Sequence, residues 1–163
     1  NRDGTPPGGQ RETGGGTGQP WRRLALWHHP QAGKPVSETF SNWVAASSNA
    51  LFISTISIGE IEAGLAKLRR KNEIVRAERL GTWFSTLLAL QADRVLNFDR
   101  AIAHVYGETL DRAWAAGHDP GFADAAIAAT AIQRGMSVVT YNVRHYAHFG
   151  VRLIDPRRPE TFV

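Results

Sequence analysis

The chain contains no cysteine among its 163 residues. A disulfide framework, a cysteine-ligated zinc site and a catalytic thiol are therefore excluded, and the absence fits a protein of the reducing cytoplasm. Long hydrophobic runs are missing too: no segment approaches the roughly 20 apolar residues needed to cross a bilayer, and the first residues lack the apolar core of a signal peptide. We therefore expect a soluble, cytoplasmic protein with no membrane partner.

A strong excess of charge of one sign is also lacking, since the formal net charge is only +4. This net charge is compatible with a nucleic-acid partner, but binding to nucleic acid depends more on how basic residues cluster than on the net charge. The basic stretch 67–71, KLRRK, is either a nucleic-acid patch or the polar end of a helix, and we favour the helix end. The apolar fraction of 42% and the charged fraction of 21% are typical of one ordinary globular domain.

The first 33 residues differ in composition from the rest of the chain. They hold eight of the 16 glycines and show almost no aliphatic periodicity. Such a segment cannot bury enough apolar surface to offset its chain entropy. We therefore predict a disordered segment over 1–33, or alternatively one translated in a non-native reading frame, followed by a folded domain over 34–163.

From residue 34 onward, short apolar segments alternate with longer segments of helical periodicity. Strands are predicted over 51–54, 95–98, 137–141 and 151–154, and helices over 36–46, 57–70, 73–91, 99–117 and 121–131. This alternation indicates an α/β fold built around a mainly parallel sheet. Ser37 or Ser41 is available to cap the first helix, and Asp99 opens the fourth.

Three oxygen-bearing side chains stand next to predicted strand ends. Glu60 follows the strand at 51–54, Asp124 stands near the start of the helix at 121–131, and Asn142 follows the strand at 137–141. Ligands collect beyond the carboxyl ends of parallel strands. These oxygen donors suit a hard cation such as Mg²⁺.

Each of these residues also has a purely structural alternative. Asp124 could cap its helix, Glu60 could favour a helix N-terminus electrostatically, and Asn142 could be a turn residue. His145 and His148 are three residues apart and lack a third ligand, so we interpret them as part of a solvated loop.

Three segments together resemble the PIN-domain family, and specifically the VapC-type toxins. They are ISTISIGEIEAGL (53–65), GFADAAIAATA (121–131) and VVTYNVRHYAHFGVRLIDP (138–156), and the resemblance extends from about Lys34 to Pro156. It implies a PIN-like three-layer α/β/α fold with a mainly parallel central sheet. It further implies a cytoplasmic endoribonuclease that depends on Mg²⁺ (or Mn²⁺), forms a homodimer and is neutralised by a cognate antitoxin.

The resemblance also implies roles for four residues. By position, Glu60 matches the second acidic residue of the family and Asp124 the third, which makes both of them candidate metal ligands. Asn142 matches the polar position after the strand, and Thr140 matches the hydroxyl residue before it. Under this interpretation all four are catalytic residues, and Asp124 is both a helix cap and a metal ligand.

The first acidic residue of the family has no counterpart in this chain. The family begins with a strand ending in Asp, of the form LLDTNV, and the matching window around 20–28 has no carboxylate; none occurs between Glu12 and Glu38. LALW (24–27) could supply the strand, with Trp27 or His28 in place of the carboxylate. We therefore expect either an impaired nuclease or a catalytically silent protein that binds an antitoxin or RNA.

Overall fold

The computed structural model describes residues 37–162 and the backbone of residues 22–28. Its strands are β1 (Arg22–His28), β2 (Ile53–Ser54), β3 (Val95–Leu96), β4 (Met136–Thr140) and β5 (Leu153–Ile154). Its α-helices are α1 (Glu38–Ala46), α2 (Thr55–Arg70), α3 (Ile74–Leu90), α4 (Arg100–Ala115), α5 (Phe122–Arg134) and α6 (Val143–Tyr146). Within this described part, no helix has the length and apolar character needed to cross a bilayer.

Strand β1 lies inside the segment for which the sequence predicts disorder. It pairs in parallel with β4, and its last residue, His28, is in register with Thr140. The prediction of disorder is therefore wrong for these seven residues, because pairing with a buried strand outweighs local composition. The alternative in which LALW forms a strand is the one observed, and the other residues of 1–33 lie outside the described residues.

The centre of the fold is β4, which lies between β1 and β5. All of its residues are buried, and successive residues of a strand face opposite sides of the sheet. Val138 packs into a cluster that includes Ile127 of α5, whereas Val139 packs with Phe40 of α1 and with Ile154. Helices thus cover both faces of the parallel sheet, which is the predicted three-layer arrangement. Strands β2 and β3 form a separate two-stranded parallel sheet.

Side-chain caps fix where the helices begin. The Asp99 carboxylate accepts a backbone N–H bond at the start of α4, as the sequence predicts. Of the two candidates for the first helix, Ser37 and Ser41, the Ser37 hydroxyl forms the capping bond. Helix α2 begins two residues earlier than predicted, because the Ser54 hydroxyl accepts the N–H of Ile56 at 3.1 Å. The basic residues of KLRRK lie in the last turn of α2 or directly after it, where cations are stabilised.

Helix α5 and strand β4 follow each other without a loop. Gly135 ends α5 in the left-handed conformation, with φ 61°, which glycine adopts without steric cost. Residues 125–131 of α5 are all buried, and five of the seven are alanine. Small side chains let this helix lie close to the sheet, which places its first turn beside the end of β4.

Candidate active site

Asp124 lies in the first turn of α5, but it is not the helix cap. The N-cap position belongs to Gly121, so the prediction that Asp124 caps the helix is wrong. Its side chain is only 14% exposed, and Oδ2 lies 2.8 Å from Nδ1 of His145. An ionised carboxylate can only accept, so the imidazole donates from Nδ1. The first turn of α5 thus directs this carboxylate towards α6.

A second contact to Asp124 comes from the neighbouring residue of α6, Tyr146, which is fully buried. Burial, then the negative charge of Asp124 and a hydrogen bond to it, then the charge of Glu60, raise the pKa of the Tyr146 hydroxyl far above its usual value. Two carboxylates from different helices therefore act on one hydroxyl group. The charges of Asp124 and Glu60, the predicted pair, thus both act on the Tyr146 hydroxyl.

Glu60 is exposed and occupies the second turn of α2. The electrostatic effect of a helix N-terminus falls off within the first turn. The alternative in which Glu60 merely stabilises the start of α2 is therefore weakened. Its neighbour Glu62 is also exposed and provides a matched comparison on the same helix.

Thr140 and Asn142 form a tight turn at the carboxyl end of β4. The Thr140 side chain is buried, and its hydroxyl accepts the backbone N–H of Asn142 at 3.0 Å. Asn142 occupies the N-cap position of α6 without a side-chain capping bond. The register of β1 places His28 opposite Thr140, so the end of β1, where the family carries its first carboxylate, adjoins this turn.

An ion pair between Asp155 and Arg157, which the sequence does not predict, stabilises the turn between Thr140 and Asn142. Arg157 donates to Asp155 from Nε and Nη2, each at 2.8 Å, and to the carbonyl oxygen of Tyr141 at 2.9 Å. Burial alone would raise the pKa of Asp155, but the hydrogen bonds and charge of Arg157 hold it below its ordinary value. The only sequence signal is the short spacing of the two opposite charges.

A cleft of about 600 Å³ opens beside Asp124, between the α4–α5 loop and α6. Its volume falls in the range of small-molecule sites, roughly 300–1,000 Å³. The rings of His118 and His148 stack in it with centroids 4.5 Å apart, and burial followed by the charge of His118 lowers the pKa of His148. His145 also lines the cleft. Its side chain is 55% exposed, as predicted for a solvated residue, but the prediction of a loop is wrong, because His145 belongs to α6 and contacts Asp124.

The donor set can be tested against a divalent cation. Two carboxylates, Asp124 and Glu60, and the amide of Asn142 are the oxygen donors that Mg²⁺ prefers. Among the described residues, however, no group of three or more His, Asp or Glu side chains is arranged to hold a metal ion. The donors fit a hard cation in kind, with one carboxylate fewer than the family pattern.

Comparison with known proteins identifies the family to which this chain belongs. The family model described as PIN domain matches residues 24–149, a range that begins within β1 and includes Glu60, Asp124 and Asn142. The chain therefore belongs to the PIN-domain family. The domain accordingly starts before residue 34, where the sequence analysis placed its boundary.

Curated relatives narrow the class to VapC-type toxins. The chain is 33% identical to the plasmid stability protein StbB of Pseudomonas syringae over 78% of its length and 90% of that protein. It is 31% identical to VapC ribonuclease Y4jK of Sinorhizobium fredii over 72% of its length and 83% of that protein. It is 32% identical to toxin FitB of Neisseria gonorrhoeae over 65% of its length and 75% of that protein. These matches confirm the resemblance drawn from the three motifs.

Solved structures confirm the fold. The crystal structure of FitAcB from Neisseria gonorrhoeae superposes with a TM-score of 0.70 at 25% identity, covering 83% of this chain and 98% of that one. The structure of FitAB bound to an IR36 DNA fragment superposes with a TM-score of 0.65 at 28% identity, covering 83% of this chain and 95% of that one. The predicted three-layer PIN-like fold is therefore correct.

Proposed function

We propose that this protein is the toxin of a VapBC-like toxin–antitoxin module, a cytoplasmic Mg²⁺-dependent endoribonuclease whose activity is weakened by the absence of the first acidic residue. The observation that carries the proposal is that Asp124, in the first turn of α5, lines the cleft beside α6 with its side chain only 14% exposed; the charges of Asp124 and Glu60 both raise the pKa of the nearby Tyr146 hydroxyl. A relative named as a VapC ribonuclease supports the choice of RNA as the substrate.

In this proposal each side chain of the site has a distinct role. Asp124 and Glu60 would hold Mg²⁺, with Mn²⁺ as the alternative ion, and a bound cation would activate water and stabilise charge on the phosphate. Asn142 would orient a water molecule through its amide. Thr140 fixes the turn that carries Asn142, because its hydroxyl accepts the Asn142 N–H. The adjacent cleft of about 600 Å³ offers space for a nucleotide.

The missing carboxylate accounts for the expected weakness. The residue at the end of β1, in register with Thr140, is His28, and the sequence holds no Asp or Glu between Glu12 and Glu38. Each carboxylate both attracts the cation and fixes its geometry, so a site with one fewer should bind Mg²⁺ less tightly and position water less well.

The metal assignment is tested by conservative substitutions and a matched control. Mg²⁺ should raise the melting temperature of the unmodified chain, because a ligand that binds only the folded state stabilises it. Asp124→Asn and Glu60→Gln should abolish or strongly reduce that shift, whereas Glu62→Gln should retain it. An equal Mg²⁺-induced shift in all four proteins would refute the assignment.

Restoring the carboxylate tests the account of the weakness. Replacing residues 21–33 with a strand ending in Asp, of the LLDTNV type, should increase Mg²⁺-dependent RNA cleavage. Strong cleavage by the unmodified chain, dependent on Asp124, would show that the first Asp is dispensable.

A second candidate is a silent PIN-fold protein that binds an antitoxin or RNA without cleaving it. It is favoured by the missing first carboxylate, since no group of three or more His, Asp or Glu side chains among the described residues is arranged to hold a metal ion. The FitAcB and FitAB structures support an antitoxin as the partner, and the family implies a homodimer. A chain that forms the antitoxin complex yet cleaves no RNA even after the Asp graft would establish this candidate.

A further inference from the structure

Helix α6 directs two consecutive side chains at one carboxylate. His145 Nδ1 lies 2.8 Å from Asp124 Oδ2, and the fully buried Tyr146 hydroxyl lies close enough to Asp124 for the charge of the carboxylate to raise its pKa. Neighbouring residues of a helix point about 100° apart, since a turn holds 3.6 residues. The hydrogen bond from His145 and the buried ring of Tyr146 therefore restrain the Asp124 carboxylate from different directions.

A carboxylate at this position needs such restraint. The terminal torsion of an Asp side chain is broad and roughly two-fold, so the helix backbone alone does not fix where the two oxygens point. The Asp124 side chain is only 14% exposed, and little surrounding water is available to solvate it. Its two oxygens offer about four acceptor positions, so the hydrogen bond from His145 leaves room for a cation.

We propose that His145 and Tyr146 are positioning residues, which hold the Asp124 carboxylate in the orientation required to bind the divalent cation. The inference rests on the proposed function, because it assigns these two residues to the same site. Hydrogen-bonding partners of metal-binding carboxylates typically contribute 10- to 100-fold to metal affinity or activity. Neither residue contacts the cation in this scheme.

The alternative is a role in folding alone. The Tyr146 ring belongs to the main buried cluster and packs edge-to-face on Phe149 with centroids 6.1 Å apart. Tyr146→Phe retains this ring and removes only the hydroxyl. His145→Leu removes the donor, while His145→Asn restores an N–H donor close to the former position of Nδ1.

The test measures the affinity of the full chain for Mg²⁺ by calorimetry. Tyr146→Phe and His145→Leu should each weaken binding about tenfold or more, and His145→Asn should recover most of the loss. His104→Leu, at an exposed position of α4, should leave the affinity unchanged. Because a purely structural role would not respond to the Leu-to-Asn difference, this rescue separates positioning from folding.

A metal-free measurement separates the possible failures. The nitrogen-15 NMR signal of His145 Nδ1 should shift in Asp124→Ala, and an unchanged signal would overturn the contact itself. Normal Mg²⁺ binding that is indifferent to all His145 and Tyr146 variants would overturn the positioning role and leave the proposed function standing. No Mg²⁺ binding by the unmodified chain would overturn both.

Discussion

The ion pair between Asp155 and Arg157 gives the sharpest stability prediction. The Asp155 carboxylate accepts Nε and Nη2 of Arg157, each at 2.8 Å, and its side chain is only 9% exposed. Breaking a buried pair from one side typically costs about 3–5 kcal/mol. Arg157 itself is 60% exposed, so solvent screening reduces this value, and we expect Arg157→Met to lower the free energy of unfolding by about 2 kcal/mol.

The loss should depend on pH. Arg157 holds the pKa of Asp155 below its ordinary value, so the folded state binds the proton less readily than the unfolded chain. The stabilisation is therefore present above the unfolded pKa of about 4 and is lost as pH falls through the folded value. Arg157→Met should be clearly less stable than the unmodified chain at pH 7, and the difference should shrink towards pH 2.

Thermal denaturation followed by circular dichroism measures both effects. For a domain of this size, 2 kcal/mol corresponds to a drop of about 6 °C in melting temperature. The neighbouring Arg158 forms a fully solvated pair with Glu160, their side chains being 65% and 62% exposed, and Arg158→Met should change the melting temperature little. Equal losses in both variants, or a loss for Arg157→Met that persists unchanged at pH 2, would refute the reasoning.

Three further predictions concern the framework around the site. Ile127 is fully buried, so Ile127→Ala should cost about 2–5 kcal/mol in urea denaturation, well above Ile74→Ala, whose side chain is 42% exposed; similar costs would contradict the assigned core. Ser54→Ala removes the cap of α2 and should cost about 1 kcal/mol; an unchanged denaturation midpoint would argue against the cap. Gly135→Ala, at φ 61°, should destabilise the folded protein by about 1–2 kcal/mol. Gly107 lies inside α4 with no atom near an added methyl group, so Gly107→Ala should stabilise the protein by about 1 kcal/mol. Changes of the same sign in both variants would be inconsistent with the left-handed turn.

Local chemistry was readable from the sequence wherever neighbouring residues decide the structure. The sequence indicates Asp99 as a cap and Ser37 as one of two candidates, because a capping bond joins residues two or three positions apart. The boundary of α2 was missed by two residues, because Ser54 was assigned to the preceding strand rather than to the cap. The alternation of strands and helices predicts Glu60, Asp124 and Asn142 at one edge of the sheet, and their convergence on one metal site stays a prediction.

Long-range contacts were not readable in the same way. The pairing of His145 with Asp124 joins two residues 21 positions apart, and no periodicity connects a first-turn residue of one helix with a short helix beyond the next strand. The sequence offers a strand at 24–27 only as an alternative to disorder, because the surrounding composition resembles a linker; the pairing of β1 with buried β4 decides between them. The separation of β2 and β3 into their own pair also depends on tertiary packing.

The β1–β4 pairing has a consequence for synthesis of the protein. Arg22 pairs with Met136, so β1 leaves the ribosome long before the strand with which it pairs. Pairings this distant in sequence close slowly, and an unpaired strand edge is prone to aggregation meanwhile. Asn142 and α6 emerge later still, so the site cannot assemble on a nascent chain before α6 has been translated.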